Sequence, residues 1–401
     1  MGIVTANNHI KLVKIKVMHL TIYITNVVKN GSIFKLSTMN IFLAKLGLLI
    51  ALPIFLAFQA DLPRPADAEY NLGTGSQPEI AIDENGTVRI VYGVKNGDHK
   101  DLYFVSSNDG GKSFSKPDLL GNFSKMGLGM GRGPQIVTTA EYTVVTVGDH
   151  NGDLFSMRLT NADNQWSAPV KVTDTDSTAK EALSGLSAGK GNDVYTVWLD
   201  SRLGNNNLYG SLSRDGGLTW EKNQLIYQGE QKGICDCCKP TVSFDQSGSM
   251  HVMFRNKLDG ARNMYLISSK DNGKHFSTAQ KLGTGDFMID GCPMDGGDLA
   301  ADENGKVTTV WRRQLEVYIA EPEKPEIKLG AGRTPVILQT GKGPAIAWQK
   351  DGAIQFRSPN GQKTVSIGNG QYPKLALMAD KKTSLCVFER DGQILVKPIV
   401  L

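Results

Sequence analysis

Short runs of alternating apolar and polar residues recur along most of this chain, and turn-forming residues bound each run. The segment from Pro78, PEIAIDENGTVRIVYG, contains two such runs around an Asn-Gly turn, and the second ends in an aromatic residue. A period of two with turn residues at each end predicts β-strands joined by hairpins. Related segments begin at Pro134, Ala182, Pro240, Pro293, Pro335 and Pro373. The pattern therefore predicts an all-β chain built from one repeated unit.

The spacing of these units predicts a β-propeller. They begin about 40 to 58 residues apart, which is the length of a four-stranded blade. Most units end in an outer strand with a Leu/Ile-Gly signature, but the seventh stops at Leu401 without one. NLGTG at Asn71–Gly75 precedes the first unit and carries the missing signature. We expect this N-terminal strand to complete the last blade and close the ring, because closure removes exposed sheet edges. The count predicts seven blades, with six as the alternative.

The N-terminal part differs from the repeats. Residues 1–38 are basic and contain no acidic residue, and residues 46–58 form an apolar run, LGLLIALPIFLAF. This run is short for a membrane span and is typical of a signal-peptide core. We therefore interpret 1–38 as a basic or mis-assigned extension, 39–68 as a signal peptide and 69–401 as a secreted or periplasmic propeller. The alternative is an uncleaved membrane anchor.

Three segments share the pattern Ser-x-Asp-x-Gly-x-x-(Trp/Phe). Their shared positions are Ser107, Asp109, Gly111 and Phe114, then Ser213, Asp215, Gly217 and Trp220, then Ser269, Asp271, Gly273 and Phe276. In a tight turn of this kind, Asp accepts hydrogen bonds from backbone N–H groups and Gly supplies a positive φ. Successive copies are 106 and 56 residues apart, so one copy is missing from the second unit, where Asn161–Trp166 looks like a shortened remnant.

These segments resemble the Asp boxes of bacterial sialidase-like (BNR-repeat) propellers, and the resemblance covers about residues 69–401. It implies that the boxes join the third and fourth strands of a blade, on the face away from the active site. Their role is then structural and gives no indication of catalysis.

The resemblance also implies a candidate active site. Sialidases hold the carboxylate of the sugar with three arginines, and they use a tyrosine nucleophile activated by a glutamate together with an aspartate acid/base. The implied catalytic residues are Tyr372, Glu181 and Asp295, and the implied substrate-binding arginines are Arg132, Arg333 and either Arg255 or Arg313. The chain departs from the family at the first unit, where Gln77-Pro78-Glu79 replaces the expected Arg-Ile-Pro. The structural alternative for each arginine is an ion pair or an exposed rim charge.

The cysteines indicate a rival site. Cys235, Cys237 and Cys238 lead into the fourth unit, and Cys292 leads into the fifth. An exported protein favours a disulfide between Cys292 and one of the other three. Three cysteines within four residues exceed the need of one disulfide, so a copper or zinc site formed by these four cysteines is the alternative. Cys386 lies in an apolar strand and is expected to be a buried filler.

The net charge of +4 is small for 401 residues, and no basic block interleaved with aromatics suggests nucleic-acid binding. We expect a glycan or another small acidic ligand as partner, and membrane contact only through the signal segment. The leading hypothesis is a sialidase-like glycosidase that requires no cofactor. The alternatives are a non-catalytic glycan- or protein-binding propeller, and a metal- or redox-linked propeller centred on the cysteines.

Overall fold

The computed structural model of the protein describes residues 68–401 except 163, 231, 232 and 362. The described residues form 29 β-strands and no helix, so none of them belongs to a helix that could cross a membrane. The proposed N-terminal extension and nearly all of the proposed signal peptide lie outside the described residues.

The strands form seven antiparallel sheets around one axis, so the predicted seven-bladed propeller is confirmed. Six of the blades are made of strands that are consecutive in the chain. Blade 1 contains β2 (Ser76–Ile82), β3 (Val88–Asn96), β4 (His99–Ser107) and β5 (Asp118–Phe123). Blade 2 contains β6 (Gln135–Thr138), β7 (Tyr142–Gly148), β8 (Leu154–Thr160), β9 (Gln165–Trp166) and β10 (Val170–Lys171). Blade 3 contains β11 (Ser184–Ala188), β12 (Val194–Asp200), β13 (Asn207–Ser213) and β14 (Gln224–Tyr227).

The next three blades repeat this order. Blade 4 contains β15 (Thr241–Phe244), β16 (Met250–Arg255), β17 (Met264–Ser269) and β18 (Gln280–Lys281). Blade 5 contains β19 (Asp298–Ala301), β20 (Val307–Arg313), β21 (Glu316–Ala320) and β22 (Ile327–Ala331). Blade 6 contains β23 (Arg333–Thr340), β24 (Gly343–Lys350), β25 (Ala353–Arg357) and β26 (Thr364–Asn369).

Blade 7 combines the two ends of the described chain. It contains β27 (Gln371–Leu377), β28 (Thr383–Arg390) and β29 (Gln393–Val400), and β1 (Tyr70–Thr74) is its outer strand. β1 runs antiparallel to β29, with Tyr70 opposite Val396. The predicted closure by the N-terminal strand is therefore confirmed.

Apolar side chains fill the wedges between neighbouring blades. The wedge between blades 7 and 1 contains Leu72 of the closing strand, Ile90 of blade 1 and Val387 of blade 7. Because successive strand residues point to opposite faces, each blade contributes one face to the wedge on either side. The core is thus a ring of inter-blade clusters around the central channel.

The three Asp-box turns join the third and fourth strands of blades 1, 3 and 4. In the blade 3 turn, Asp215 Oδ1 accepts the backbone N–H groups of Leu218 at 3.0 Å and Thr219 at 2.9 Å. Ser213 Oγ accepts the N–H of Gly217 at 2.8 Å. Trp220 donates its indole N–H to Ser156 Oγ of blade 2 at 2.7 Å. The turn therefore fastens its own loop and also ties blade 3 to blade 2.

Closure by β1 gives a testable stability difference. Leu72→Ala removes buried apolar contacts from the wedge between blades 7 and 1, so we expect a loss of about 2–3 kcal/mol in unfolding free energy. Leu119→Ala is the matched control, because Leu119 is 56 % exposed. Urea unfolding of both variants measures the difference, and equal stability of the two would contradict a closing role for β1.

Candidate functional site

The loops that lead into the innermost strands of all seven blades converge at one end of the central channel. We call these the lead-in loops. Together with the first residues of the inner strands, they line a cavity of about 210 Å³. A concave site on the axis, lined by residues from every blade, is the place where a propeller can bring distant residues together.

Backbone irregularities direct side chains toward this cavity. Gln77, Thr334 and Tyr372 each precede a proline and have positive φ angles of 52°, 50° and 52°. The strand register shifts at the same places in blades 1, 6 and 7. A bulge re-aims the side chains beside it, and a positive φ is costly for residues other than glycine. Backbone strain is therefore concentrated at the mouth of the channel.

Tyr372 lines the cavity, and its phenolic oxygen accepts a hydrogen bond from the backbone N–H of Met130 at 3.3 Å. Glu181 instead forms an ion pair with Arg132, at 3.0 Å from its Nη2. Arg132 Nε also donates to the Glu181 carbonyl at 2.6 Å. Among the described residues, no hydrogen bond joins Glu181 to Tyr372. The structure thus pairs Glu181 with Arg132 and, in the part of the chain that it describes, shows no hydrogen bond between the predicted nucleophile and its predicted base.

Two of the predicted binding arginines make structural contacts. Arg255 is 1 % exposed, and its guanidinium donates to the backbone carbonyls of Arg262 at 2.7 Å, Asp295 at 2.9 Å and Arg312 at 2.9 Å. Its hydrogen-bonding groups are therefore directed at the protein. Arg255 fastens the lead-in loop of blade 5 to the strand ends of blades 4 and 5.

Arg313 also has a structural partner. It forms an ion pair with Glu326 and lies over the ring of Tyr318, 4.2 Å from its centroid. These contacts stabilise the outer part of blade 5. Neither Arg255 nor Arg313 therefore completes a triad with Arg132 and Arg333 in this structure.

Arg333 differs from the other predicted binding arginines, Arg132, Arg255 and Arg313. Its Nε is buried, and no described residue accepts a hydrogen bond from it. A buried donor without an acceptor costs about 1–3 kcal/mol, and more for a charged group. Arg333 therefore has an unsatisfied donor, and it directly precedes Thr334, which lines the cavity.

Arg312, which the sequence interpretation omitted, is close to Arg333. Burial, with the positive charges of Arg333 and Arg255, lowers the pKa of Arg312 against the attraction of Asp295. Burial raises the pKa of Asp295. The backbone N–H of Thr334, which donates to Asp295 Oδ2 at 2.8 Å, and the nearby arginines lower this pKa by a smaller amount. The region around Arg333 thus has more positive than negative charge. Arg312 directly precedes Arg313 in β20, and the residue pattern alone did not show which of the two lies close to Arg333 and Asp295.

A polar cluster lies deeper in the cavity. Lys374 forms an ion pair with Glu79, and Lys239 bonds Gln135 Oε1 while its Nζ is 3.9 Å from Glu79. Burial, assisted by the charge of Lys374, lowers the pKa of Lys239 to about 8. Burial also raises the pKa of Asp298. These residues come from the inner strands or lead-in loops of different blades, so the cluster links the blades across the channel.

The cysteines form a compact group in the lead-in loop of blade 4. The sulfur of Cys235 lies 3.7 Å from those of Cys237 and Cys238, which are 4.0 Å apart. All three thiols are free and buried, whereas Cys292 is free and exposed. The expected disulfide between Cys292 and this group is not formed. Cys386 is buried in β28, as expected of an apolar filler.

Electrostatics distinguish the three thiols. Hydrogen bonds with the other two thiols, together with one from Arg262 Nη1 at 3.2 Å, lower the pKa of Cys235 well below its ordinary value. Burial raises the pKa of Cys238 to about 12, and hydrogen bonds with the other two thiols raise the pKa of Cys237. Cys235 is therefore the thiol that ionises first.

Comparison with known proteins supports the fold. No family model and no curated protein matches the sequence. An ulvan lyase bound to -[GlcA(1-4)Rha3S]- is 13 % identical, covering 84 % of this chain and 96 % of that chain, with a TM-score of 0.55. A catalytically inactive virginiamycin B lyase from Staphylococcus aureus with quinupristin is 12 % identical. The match covers 83 % of this chain and 99 % of that chain, with a TM-score of 0.54. Penicillium chrysogenum α-L-arabinanase with arabinobiose is 9 % identical. The match covers 84 % of this chain and 99 % of that chain, with a TM-score of 0.51. Such identities show a shared fold alone.

Replacing Arg255 and Arg333 by an uncharged residue should affect the unfolding free energy differently. Arg255→Met leaves three backbone carbonyls without their donor, so we expect a loss of about 3 kcal/mol or more in unfolding free energy. Arg333→Met removes an unsatisfied buried donor and should leave stability unchanged or raise it. Urea unfolding without ligand measures both variants. A large loss on Arg333→Met would show that Arg333 has a structural role.

Proposed function

We propose that the propeller is exported and binds an acidic saccharide, or another small carboxylate, at the mouth of its central channel. Arg333 is the observation that carries this proposal, because its buried Nε has no acceptor within the described part of the chain. A carboxylate supplies the missing acceptor, and the planar guanidinium binds it through two parallel hydrogen bonds.

The surrounding charge supports an anionic ligand. Burial and the positive charges of Arg333 and Arg255 lower the pKa of the Arg312 guanidinium, and burial raises the pKa of Asp295. A bound carboxylate relieves this imbalance without requiring a buried protein carboxylate to ionise. Proteins retain such destabilised groups where function requires them.

The geometry favours binding over hydrolysis. The sialidase mechanism needs a base beside the tyrosine nucleophile, and Glu181 is engaged by Arg132 instead. It also needs three arginines on one carboxylate, whereas Arg255 and Arg313 have protein partners. The fold neighbours include a lyase bound to a GlcA-containing saccharide. That likeness concerns the fold, so the proposal depends on the arginines.

A sialidase activity is the second candidate, and Tyr372 is the observation that favours it. Its phenol lies in the cavity and accepts only a long hydrogen bond, from Met130. A ligand that displaced Arg132 from Glu181 would free the carboxylate to act as a base. Export rests on the signal-like run at residues 46–58, which lies outside the described residues.

Calorimetry with N-acetylneuraminic acid tests the binding proposal. We expect saturable binding to the full chain, and a loss of about 10- to 100-fold in affinity on Arg333→Met, the equivalent of one charge-assisted hydrogen-bonded contact. The methyl ester of the same sugar should bind as weakly as the acid binds to the variant, because it lacks the negative charge.

Arg214→Met is the matched control, because Arg214 is half exposed and occupies a variable position of the blade 3 Asp box, at the other end of the blade. It should leave the affinity unchanged. Equal affinity of the parent chain for the acid and its ester would contradict recognition of the carboxylate.

Hydrolysis of a fluorogenic N-acetylneuraminic acid glycoside distinguishes the two candidates. The binding proposal predicts no turnover by the parent chain. Turnover that disappears in Tyr372→Phe would establish the glycosidase candidate and identify Tyr372 as the nucleophile.

A further inference from the structure

The function proposed above makes no use of the three buried thiols beside the channel mouth. We propose that Cys235, Cys237 and Cys238 bind one thiophilic metal ion, Cu⁺ or Zn²⁺, through three thiolates. Their sulfurs all lie within 4.8 Å of one another, and among the described residues no other group of three or more His, Cys, Asp or Glu side chains has this arrangement.

The sulfur–sulfur distances fit a metal centre. A tetrahedral ion with metal–sulfur bonds of about 2.3 Å holds its sulfurs about 3.8 Å apart. The three separations here are 3.7, 3.7 and 4.0 Å. A disulfide would require two of these sulfurs to approach to about 2.05 Å. The thiols are therefore spaced as ligands around a common centre.

The loop that carries the thiols is held by neighbouring strands. Cys235 donates its backbone N–H to the carbonyl of Arg255 at 3.1 Å, and Ile234 donates to the carbonyl of Asn206 at 2.9 Å. These contacts fasten the loop to the strand end of blade 4 and to blade 3. These bonds fix the backbone at Cys235, so the first of the three thiols is positioned before any ion binds.

Arg262 compensates part of the negative charge of the three thiolates. It donates its Nη1 hydrogen to Cys235 Sγ at 3.2 Å. An arginine keeps its charge in any protein environment, so it can offset a thiolate without competing as a ligand. Such outer contacts tune metal affinity and orient the ligands.

Neighbouring residues determine which of the two ions the site prefers. Met294 packs on the three thiols, and Cys292 lies two residues before it in the same lead-in loop. Cu⁺ is satisfied by three soft sulfur ligands, whereas Zn²⁺ requires four ligands in a structural site. The exposed Cys292 is the thiol in this loop that can supply the fourth.

Metal titration of the full chain, reduced and kept free of oxygen, tests the proposal. We expect one ion per chain to remain bound through gel filtration after loading with Cu⁺ or Zn²⁺ alone. Serine substitution at Cys235, Cys237 or Cys238 should weaken binding by on the order of 100-fold or more, since loss of a ligand exceeds the cost of an outer-shell change. Cys386→Ala is the matched control and should retain the ion.

Two further variants separate a metal site from a structural role of the thiols. Arg262→Met should weaken metal binding by about 10- to 100-fold while the three thiols remain. Cys292→Ser should weaken Zn²⁺ but not Cu⁺ if Cys292 is the fourth ligand. Thermal unfolding of each variant without metal shows whether the fold is intact.

Two measurements on the parent chain can overturn the proposed metal site. Failure of the reduced parent chain to retain either ion would exclude the site. Mass spectrometry of the chain isolated without reductant gives an independent answer, because a disulfide within the group would remove two of its thiols. Neither result depends on the carboxylate at Arg333, so the two proposals can fail separately.

Discussion

Closure of the ring by β1 is the constraint on which the rest of the structure depends. An open array of seven sheets would leave an unpaired edge at β29 and an unfilled wedge between blades 7 and 1. Pairing of Tyr70–Thr74 with β29 removes both defects at once. It also fixes the positions of the lead-in loops around one axis. Tyr372, Thr334 next to Arg333, and Met294 beside the cysteines therefore line one cavity.

Function in this framework depends on groups that the fold does not satisfy. Most polar groups at the mouth have protein partners, as Arg255 and Glu181 do. Arg333 Nε has none among the described residues, and three residues near it adopt positive φ angles. These features lower stability in isolation, and a well-paired propeller can tolerate them. They are the reason why we propose the channel mouth as the site for an anion.

The sequence predicted the architecture well, because the repeat and the closing strand follow from local pattern. The alternation of apolar and polar residues, the turn residues and the NLGTG signature were enough to predict seven blades and the closure of the ring. The same pattern placed Arg255, Arg313 and Arg333 near strand ends, but it did not show which guanidinium meets protein carbonyls. That depends on contacts between blades, such as Arg255 with the carbonyls of Asp295 and Arg312. For the same reason, the grouping of three cysteines without Cys292 emerged only from the folded loops.

The central claim is that the unsatisfied guanidinium of Arg333 is the binding group for a carboxylate. A crystal structure of the chain soaked with N-acetylneuraminic acid tests it most directly. We expect density for the sugar in the channel mouth, with its carboxylate within hydrogen-bond distance of the Arg333 guanidinium. A sugar bound elsewhere, or a hydrogen bond from Arg333 to a backbone carbonyl of the protein, would contradict this role of Arg333.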